Sequence, residues 1–193
     1  MSDEDLLLHV ELHLVGHLGH DSGRASVSFL GADQIQVLRF GPDTGGLIRY
    51  ATLGMSRSPM TDPSSTVVAE QGPRAELLLS VRGPQDDVFR TLAVLAASPN
   101  VEGLVLAPGA GIDLGQPLWE GSRFTAVLVA EPGGLLPDLE VDGEDPVRFL
   151  PLLPMTPNEA AWKRVHGAAA LEERWLTQGT DLRAPDRPEA ALA

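Results

Sequence analysis

The sequence predicts a single α+β domain, in which one mixed, mostly antiparallel sheet is packed by about three helices. The chain has 193 residues, enough for one compact domain. Hydrophobic residues make up 43% and charged residues 21%, which is typical of globular proteins. Short apolar stretches typical of strands alternate with three stretches of helical periodicity. We expect the domain to span residues 1–180, followed by a flexible tail rich in Pro, Ala and charge over residues 181–193.

Six short stretches have the composition of β-strands, and loops rich in Gly, Pro and Asp separate them. The consecutive leucines 77–79 indicate that the strand containing them is buried on both faces. The first two strands are predicted to form a hairpin. The predicted strands are 26–30, 34–40, 47–53, 75–82, 104–106 and 124–130.

Three helices are predicted from apolar spacing and end signals. The first covers residues 3–15, with apolar residues on one side, and is ended by glycines. The second covers residues 84–98 and is stopped by Pro99. The third starts with a capping box, in which Thr156 is the N-cap and Glu159 the third helical residue, and continues to Leu176. The first helix's predicted apolar side consists of Leu7, Leu8, Leu14, Val15 and Leu18.

The formal net charge is −13, which disfavours nucleic acid as a partner. It is compatible with steering a basic protein partner onto the surface, and equally with a role in solubility alone. The absence of cysteine excludes disulfides and thiolate zinc ligands. An acidic start over residues 2–5 is unlike a signal peptide, and no apolar run reaches the ~20 residues of a membrane helix. We therefore expect a cytoplasmic protein that does not bind a membrane.

Four histidines, His9, His13, His17 and His20, have helical spacing, so a metal-dependent enzyme is the alternative hypothesis. The sequence has no H-E-x-x-H metal-binding motif, so a solvated helix face is the preferred interpretation of these histidines. A G-x-S-x-G nucleophile motif is absent, and the glycines at 109 and 111 are followed by leucine at 114, unlike a phosphate loop. The sequence therefore predicts no catalytic residue, no metal and no cofactor.

The segment of residues 131–145, called the acidic segment below, has six acidic residues and no basic one. Such a segment attracts a cationic protein surface and raises association rates. A merely solvated loop is the alternative interpretation. The candidate partner-binding residues here are Asp138, Glu140, Asp142, Glu144 and Asp145.

Several blocks resemble the Suppressor of fused domain family, in order and spacing, over about residues 5–176. The first block resembles the family's T-x-G-M-S…P-M signature, and we call residues 52–60 the signature loop. Its matching residues are Thr52, Gly54, Met55, Ser56, Pro59, Met60 and, just beyond the loop, Pro63. An E-L strand at Glu76 and a helix follow, as in the family. Later matches are Gly111-Ile112, Pro117-Leu118, the 149–156 segment with Glu159, and Gly167 with Leu171.

Two positions depart from the family pattern: Val88-Phe89 replaces a Trp-Pro pair, and Met155 replaces Ile or Leu. Both changes keep an apolar residue, so the packing role is retained. The resemblance implies a non-enzymatic, protein-binding α/β domain. Short bacterial members are associated with polymorphic toxin systems, often as immunity proteins, so a basic toxin is an expected partner.

The resemblance also makes Thr52, Gly54, Met55, Ser56 and Met60 candidate partner-binding residues. Their structural interpretation stays open beside it. Gly54 is suited to a positive φ, and the two methionines are suited to packing beneath the loop.

Overall fold

The structure is a computed structural model that describes residues 1–62, 64 and 72–193. Pro63, which the signature comparison includes, and residues 65–71 lie outside the described residues. Within the described part of the chain, seven strands form one sheet in the order β1-β2-β3-β4-β7-β6-β5. The strands are β1 (Asp21–Val27), β2 (Ile35–Phe40), β3 (Leu47–Leu53), β4 (Arg74–Arg82), β5 (Gly111–Asp113), β6 (Ala126–Val129) and β7 (Val147–Met155).

Strands β1 to β4 form an antiparallel meander, and β7, β6 and β5 form a second antiparallel group. The two groups join where β4 and β7 pair in parallel, with Arg74 opposite Val147. The parallel pair needs a long crossover, which α2, β5 and β6 provide. The predicted fold class, a mixed and mostly antiparallel sheet with helices, is therefore confirmed.

Four helices of the described residues pack on the sheet, where about three were expected. The predicted third helix is divided at Gly167, whose φ of +92° is unfavourable for any other residue. The second helix was predicted to stop at Pro99, and this was wrong: it continues to Glu102. Pro99 has no N–H to donate to the Leu95 carbonyl oxygen, four residues earlier in the helix. The Ser98 hydroxyl donates to that oxygen instead, at 2.6 Å. The helices are α1 (Asp3–Leu18), α2 (Asp87–Glu102), α3 (Pro157–His166) and α4 (Ala168–Thr177).

The sheet is covered on both faces, as the three leucines of β4 predicted. Leu77 and Leu79 belong to the core beneath α2, whereas Leu78 belongs to the core beneath α1. A third cluster, around Trp175, joins α3 and α4 to β6 and the end of β7. The continuous apolar sequence of β4 therefore follows from two helical layers on opposite sides.

Helix α1 is longer than predicted, and its predicted apolar side packs inward except at Leu8: Leu14 is buried, and Leu7, Val15 and Leu18 are partly buried against the same core. Its buried residues are Leu6, Val10 and Leu14, while Leu8 is 55% exposed. The inward side is centred on Leu6, Val10 and Leu14, which are spaced four residues apart. Ser2 and Asp5 form a capping box at its start, a signal that the sequence contains but that the prediction did not use.

Four strand assignments also differ from the sequence prediction, and the first strand is observed at Asp21–Val27 where residues 26–30 were predicted. Residues 104–106 form no strand, and β5 lies inside a predicted loop. Strand β7 was not predicted at all, because Pro151 and Pro154 obscure its pattern. Pro151 is the last β7 residue in the pairing with β4, and pairing with β6 starts at the next residue, so this proline lies where β7 changes partner.

Residues 181–193, predicted to be a flexible tail, are packed against the domain in the structure. Arg187 is only 3% exposed, and its guanidinium forms two parallel hydrogen bonds with the Glu159 carboxylate, at 2.8 and 2.9 Å. It also lies over the Trp175 and Phe124 rings. The composition of the segment suggested disorder. Composition alone does not show that one of its arginines neutralises a buried carboxylate 28 residues away.

Candidate functional site

The signature loop starts where β3 ends at Leu53 and turns sharply at Gly54. Gly54 has a φ of +128°, and a Cβ at this position would lie 2.9 Å from the Gln34 carbonyl oxygen. A short 3₁₀ turn over Met55–Arg57 follows. The loop geometry therefore requires glycine at 54 for both its backbone conformation and its close approach to β2.

Replacing Gly54 by alanine should lower the free energy of unfolding by about 1–3 kcal/mol, because alanine adopts this conformation only with strain. Gly16→Ala is the matched control, since Gly16 is in α1 and a Cβ at this position would have nothing within 4 Å. It should stabilise the protein by about 0.5–1 kcal/mol. Urea unfolding of both variants tests this, and equal effects would contradict the assigned loop geometry.

A buried carboxylate, Glu76 of β4, organises this loop. One oxygen accepts from the Thr52 hydroxyl at 2.6 Å. The other accepts from the backbone N–H of Gly54 at 2.9 Å and from the N–H and hydroxyl of Ser56 at 3.0 and 2.6 Å. Thr52 Oγ1 in turn accepts from the Leu77 N–H at 2.8 Å. The signature residues Thr52, Gly54 and Ser56 are thus the donor set for one carboxylate.

The five signature residues predicted to bind a partner are all buried. The loop folds over them, and they satisfy Glu76 or pack in the core. The Met60 sulfur accepts from the Leu106 N–H at 3.3 Å, and Met55 lies in the core beneath α2. In this conformation their side chains shape the loop and do not reach the surface. They are Thr52, Gly54, Met55, Ser56 and Met60.

The acidic segment presents most of its carboxylates to solvent. Asp138, Glu140, Asp142 and Asp145 are exposed, and Glu144 is half-buried. A bridge between Leu139 and Val147 fixes the segment beside the first residue of β7. Arg148 forms ion pairs with Glu131 at 3.2 Å and with Asp138 at 3.9 Å. The segment is therefore held to the sheet while its charges face outward.

Arg74, the first residue of β4, connects the two segments that the sequence marked separately. Its Nη1 donates to the carbonyl oxygens of Ser56 and Arg57 at 2.8 and 2.7 Å. Its Nη2 lies 2.6 Å from Glu144 Oε2. Sequence reasoning missed this residue, because no local pattern shows that one arginine spans both segments. One buried arginine thereby joins the signature loop to the acidic segment.

The histidines of α1 form hydrogen bonds with backbone oxygens. His9 and His17 bond within the helix, to the Asp5 and His13 carbonyls. His13 Nε2 lies 2.8 Å from the Pro137 carbonyl, and its ring stacks on Phe149. Burial lowers the pKa of His13. The predicted solvated face is thus partly a packing surface for the acidic segment.

Two further findings concern residues 1–62, 64 and 72–193 only. No group of three or more His, Cys, Asp or Glu side chains among them is arranged to hold a metal ion. None of the helices formed by them is both long enough and apolar enough to cross a membrane.

Comparison with known structures shows the same fold in several proteins. A SUFU homologue from Neisseria gonorrhoeae FA 1090 matches with a TM-score of 0.73 at 22% identity, covering 97% of this chain and 98% of its own. The structure described as the Sufu-Fu complex matches with a TM-score of 0.66 at 15% identity, covering 97% and 91%. Drosophila Suppressor of Fused matches with a TM-score of 0.67 at 15% identity, covering 96% and 50%.

The sequence comparisons agree with the fold. None of the curated proteins matches the chain significantly. The family model described as Suppressor of fused protein (SUFU), however, matches residues 31–188. The matched region includes the signature loop, the Glu76 strand, the acidic segment and Arg187. This match covers most of the chain and agrees with the shared fold. The chain therefore belongs to the Suppressor of fused family.

Proposed function

We propose that the protein is a non-enzymatic protein-binding module, and that the acidic segment is its main binding surface. The observation that supports this most directly is the Arg74 bridge, which ties the acidic segment to the signature loop. A pre-positioned surface binds with a smaller loss of conformational entropy than a free loop. The description of a related structure as the Sufu-Fu complex is consistent with a protein partner.

The signature residues act indirectly in this proposal. Thr52, Gly54 and Ser56 hold the loop on Glu76, and the loop carbonyls in turn hold Arg74. Arg74 then fixes Glu144 at one end of the acidic segment. The buried signature thus serves recognition by fixing the position of exposed charges.

The finer part of the proposal is that the partner is a basic protein toxin, which this chain neutralises in the cytoplasm. The net charge of −13 supports a basic partner, because opposite charges steer the two proteins together. Of the acidic segment's six carboxylates, Glu140, Asp142 and Asp145 have no ion-pair partner among the described residues. These three are available to a cationic surface.

The test measures binding of the chain to the protein encoded by the adjacent gene. A 1:1 complex is expected by light scattering, with an association rate that falls as salt rises. Reversing three charges, Glu140→Lys, Asp142→Lys and Asp145→Lys, should slow association at least about tenfold.

The control reverses three exposed charges elsewhere, Glu102→Lys, Glu120→Lys and Glu172→Lys, which changes the net charge equally. It should slow association much less. Absence of any complex would refute the neutralising role. A complex that responds equally to both sets would show that the acidic segment is not the binding surface.

A further inference from the structure

The sheet splits between β4 and β7, and a groove lies over the split. Strand β4 pairs with β7 only as far as Leu78 and Pro151, and β7 pairs with β6 from Leu152 onward. Beyond the split, the Arg82 N–H donates to the Arg183 carbonyl at 2.8 Å. Between these two positions β4 has no strand partner on this side among the described residues. The groove has a volume of about 490 Å³, which is in the range of small-molecule sites.

One part of the groove is apolar and accessible. Its lining there consists of Leu78, Pro151 and Leu153 of the sheet, together with Leu135, which follows β6 in the chain. Pro151 and Leu153 are half-buried, and Leu135 is 43% exposed. Apolar side chains that stay accessible in a concave site are typical of a surface that an apolar ligand group covers.

The other part of the groove carries polar side chains. Ser80 lies two residues after Leu78 and is on the same face of β4, since side chains alternate along a strand. Thr180 and Arg183 line the groove from the segment after α4. The hydroxyls of Ser80 and Thr180 have no hydrogen-bond partner among residues 1–62, 64 and 72–193. The groove therefore presents two hydroxyls and an arginine next to its apolar part.

The charged residues that line the groove favour an anion. Asp181 is one of them, but its carboxylate is ion-paired with Arg82 and also accepts from the Arg183 N–H at 3.2 Å. The Arg183 guanidinium has no ion-pair partner within the described part of the chain. Among the described residues that line the groove, Arg183 is therefore the charge without a counter-charge.

The negative charge of the acidic segment is partly neutralised beside the groove. Gly133 and Leu135 of this segment line one side of it. The nearest acidic residues along the chain on either side of them are Glu131 and Asp138. Both are ion-paired with Arg148, at 3.2 and 3.9 Å, so their fields partly cancel at longer range. An anion in the groove therefore meets Arg183 with little repulsion from this side.

We propose that the groove is a binding site for a small apolar carboxylic acid, such as a medium-chain fatty acid. Its carboxylate accepts hydrogen bonds from the two hydroxyls and pairs with Arg183, because an ionised carboxylate supplies only acceptors and these groups supply donors. Its hydrocarbon part covers Leu78, Pro151 and Leu153. The site goes beyond the protein-binding function proposed above and does not depend on it.

The probes are octanoate, octanol and octylammonium, which share one hydrocarbon chain and differ in charge. Titration of the ¹⁵N-labelled full chain, followed by backbone amide chemical shifts, should show saturable binding of octanoate with a Kd of about 1 mM or tighter. Octanol should bind about fivefold more weakly and octylammonium at least about tenfold more weakly, because neither offers Arg183 a negative charge. The shifts should be centred on Ser80 and on residues 180–183.

Variants at Arg183 test the polar part of the site. Arg183→Gln should weaken octanoate binding about fivefold, and Arg183→Glu should reverse the preference, so that octylammonium binds more tightly than octanoate. Arg164→Gln, at an exposed arginine of α3, is the matched control and should leave octanoate binding unchanged. A variant that only disturbed the fold would weaken all three probes and would not reverse their order.

A second pair of variants tests the apolar part. Leu135→Ser should weaken octanoate binding about threefold, because it removes accessible apolar surface from the groove. Val101→Ser, at an exposed valine of α2, is the control and should have no effect.

No saturable binding of octanoate, equal binding of the three probes, or equal effects of Arg183→Gln and Arg164→Gln would overturn the assignment. N-acetyl-leucyl-leucine ends in the same carboxylate, so tighter binding of this dipeptide than of octanoate would assign the groove to a peptide C-terminus and refute the free acid. These measurements involve no protein partner. Their failure therefore leaves the protein-binding function standing, and the absence of a protein complex leaves the groove standing.

Discussion

Replacing Glu76 by alanine is expected to lower the free energy of unfolding by at least about 3 kcal/mol. The substitution leaves the N–H groups of Gly54 and Ser56 and the hydroxyls of Thr52 and Ser56 without their acceptor. Each unsatisfied buried donor costs about 1–3 kcal/mol, and the side chain itself leaves a cavity. Urea or thermal unfolding measures the loss.

Two further variants make the Glu76 prediction specific. Glu102→Ala, at an exposed carboxylate, should change stability by less than about 0.5 kcal/mol. Glu76→Gln keeps the shape of the side chain and one acceptor oxygen but turns an NH₂ group toward hydrogen-bond donors. Its free energy of unfolding should therefore lie between those of the wild type and Glu76→Ala. Hydrogen exchange at the Gly54 and Ser56 amides should accelerate in Glu76→Gln. Wild-type exchange rates there would argue against the carboxylate as the organiser of the loop.

Replacing Arg187 by alanine is expected to destabilise the protein by about 3–5 kcal/mol, because it leaves the Glu159 carboxylate buried without its cation. Glu159 is fully buried and also accepts from the Ala190 N–H at 3.0 Å and from Trp175 Nε1 at 3.3 Å. Arg187→Lys should recover only part of the loss, because an ammonium cannot form the two parallel bonds. Arg183→Ala, at an exposed arginine, is the control and should have little effect.

The Arg187–Glu159 ion pair also predicts how the free energy of unfolding depends on pH. Burial by itself raises the pKa of Glu159, but hydrogen bonds from Arg187, Ala190 and Thr156 outweigh it and hold the pKa below its ordinary value. A lowered folded-state pKa stabilises the protein above the unfolded carboxylate pKa of about 4.3, and that contribution is lost as pH falls through the folded-state value. Unfolding free energies measured from about pH 6 down to pH 3 should therefore fall less steeply in Arg187→Ala than in the wild type. Parallel curves would contradict this role of the pair.

Local signals predicted the parts of the fold that depend on neighbouring residues. The start of α3 follows from the Thr156–Glu159 capping box, and β3 was predicted with its observed bounds of Leu47–Leu53. Burial of β4 on both faces followed from its three leucines. By contrast, β7 was missed because its prolines disrupt the local pattern, and only its pairing with β4 and β6 shows that it is a strand.

The candidate site, like the fold, could be predicted only in part from the sequence. The sequence by itself determined the family, through ordered motifs, and the acidic segment, through composition. Only the tertiary structure decided that Thr52, Gly54 and Ser56 face Glu76, 20 to 24 residues away, and that Arg74 joins their loop to Glu144. It also decided that Arg187 belongs to the core and not to a loose tail. The physical reason is that a buried carboxylate must find its donors or cation wherever the fold places them, and those partners leave no periodic pattern along the chain.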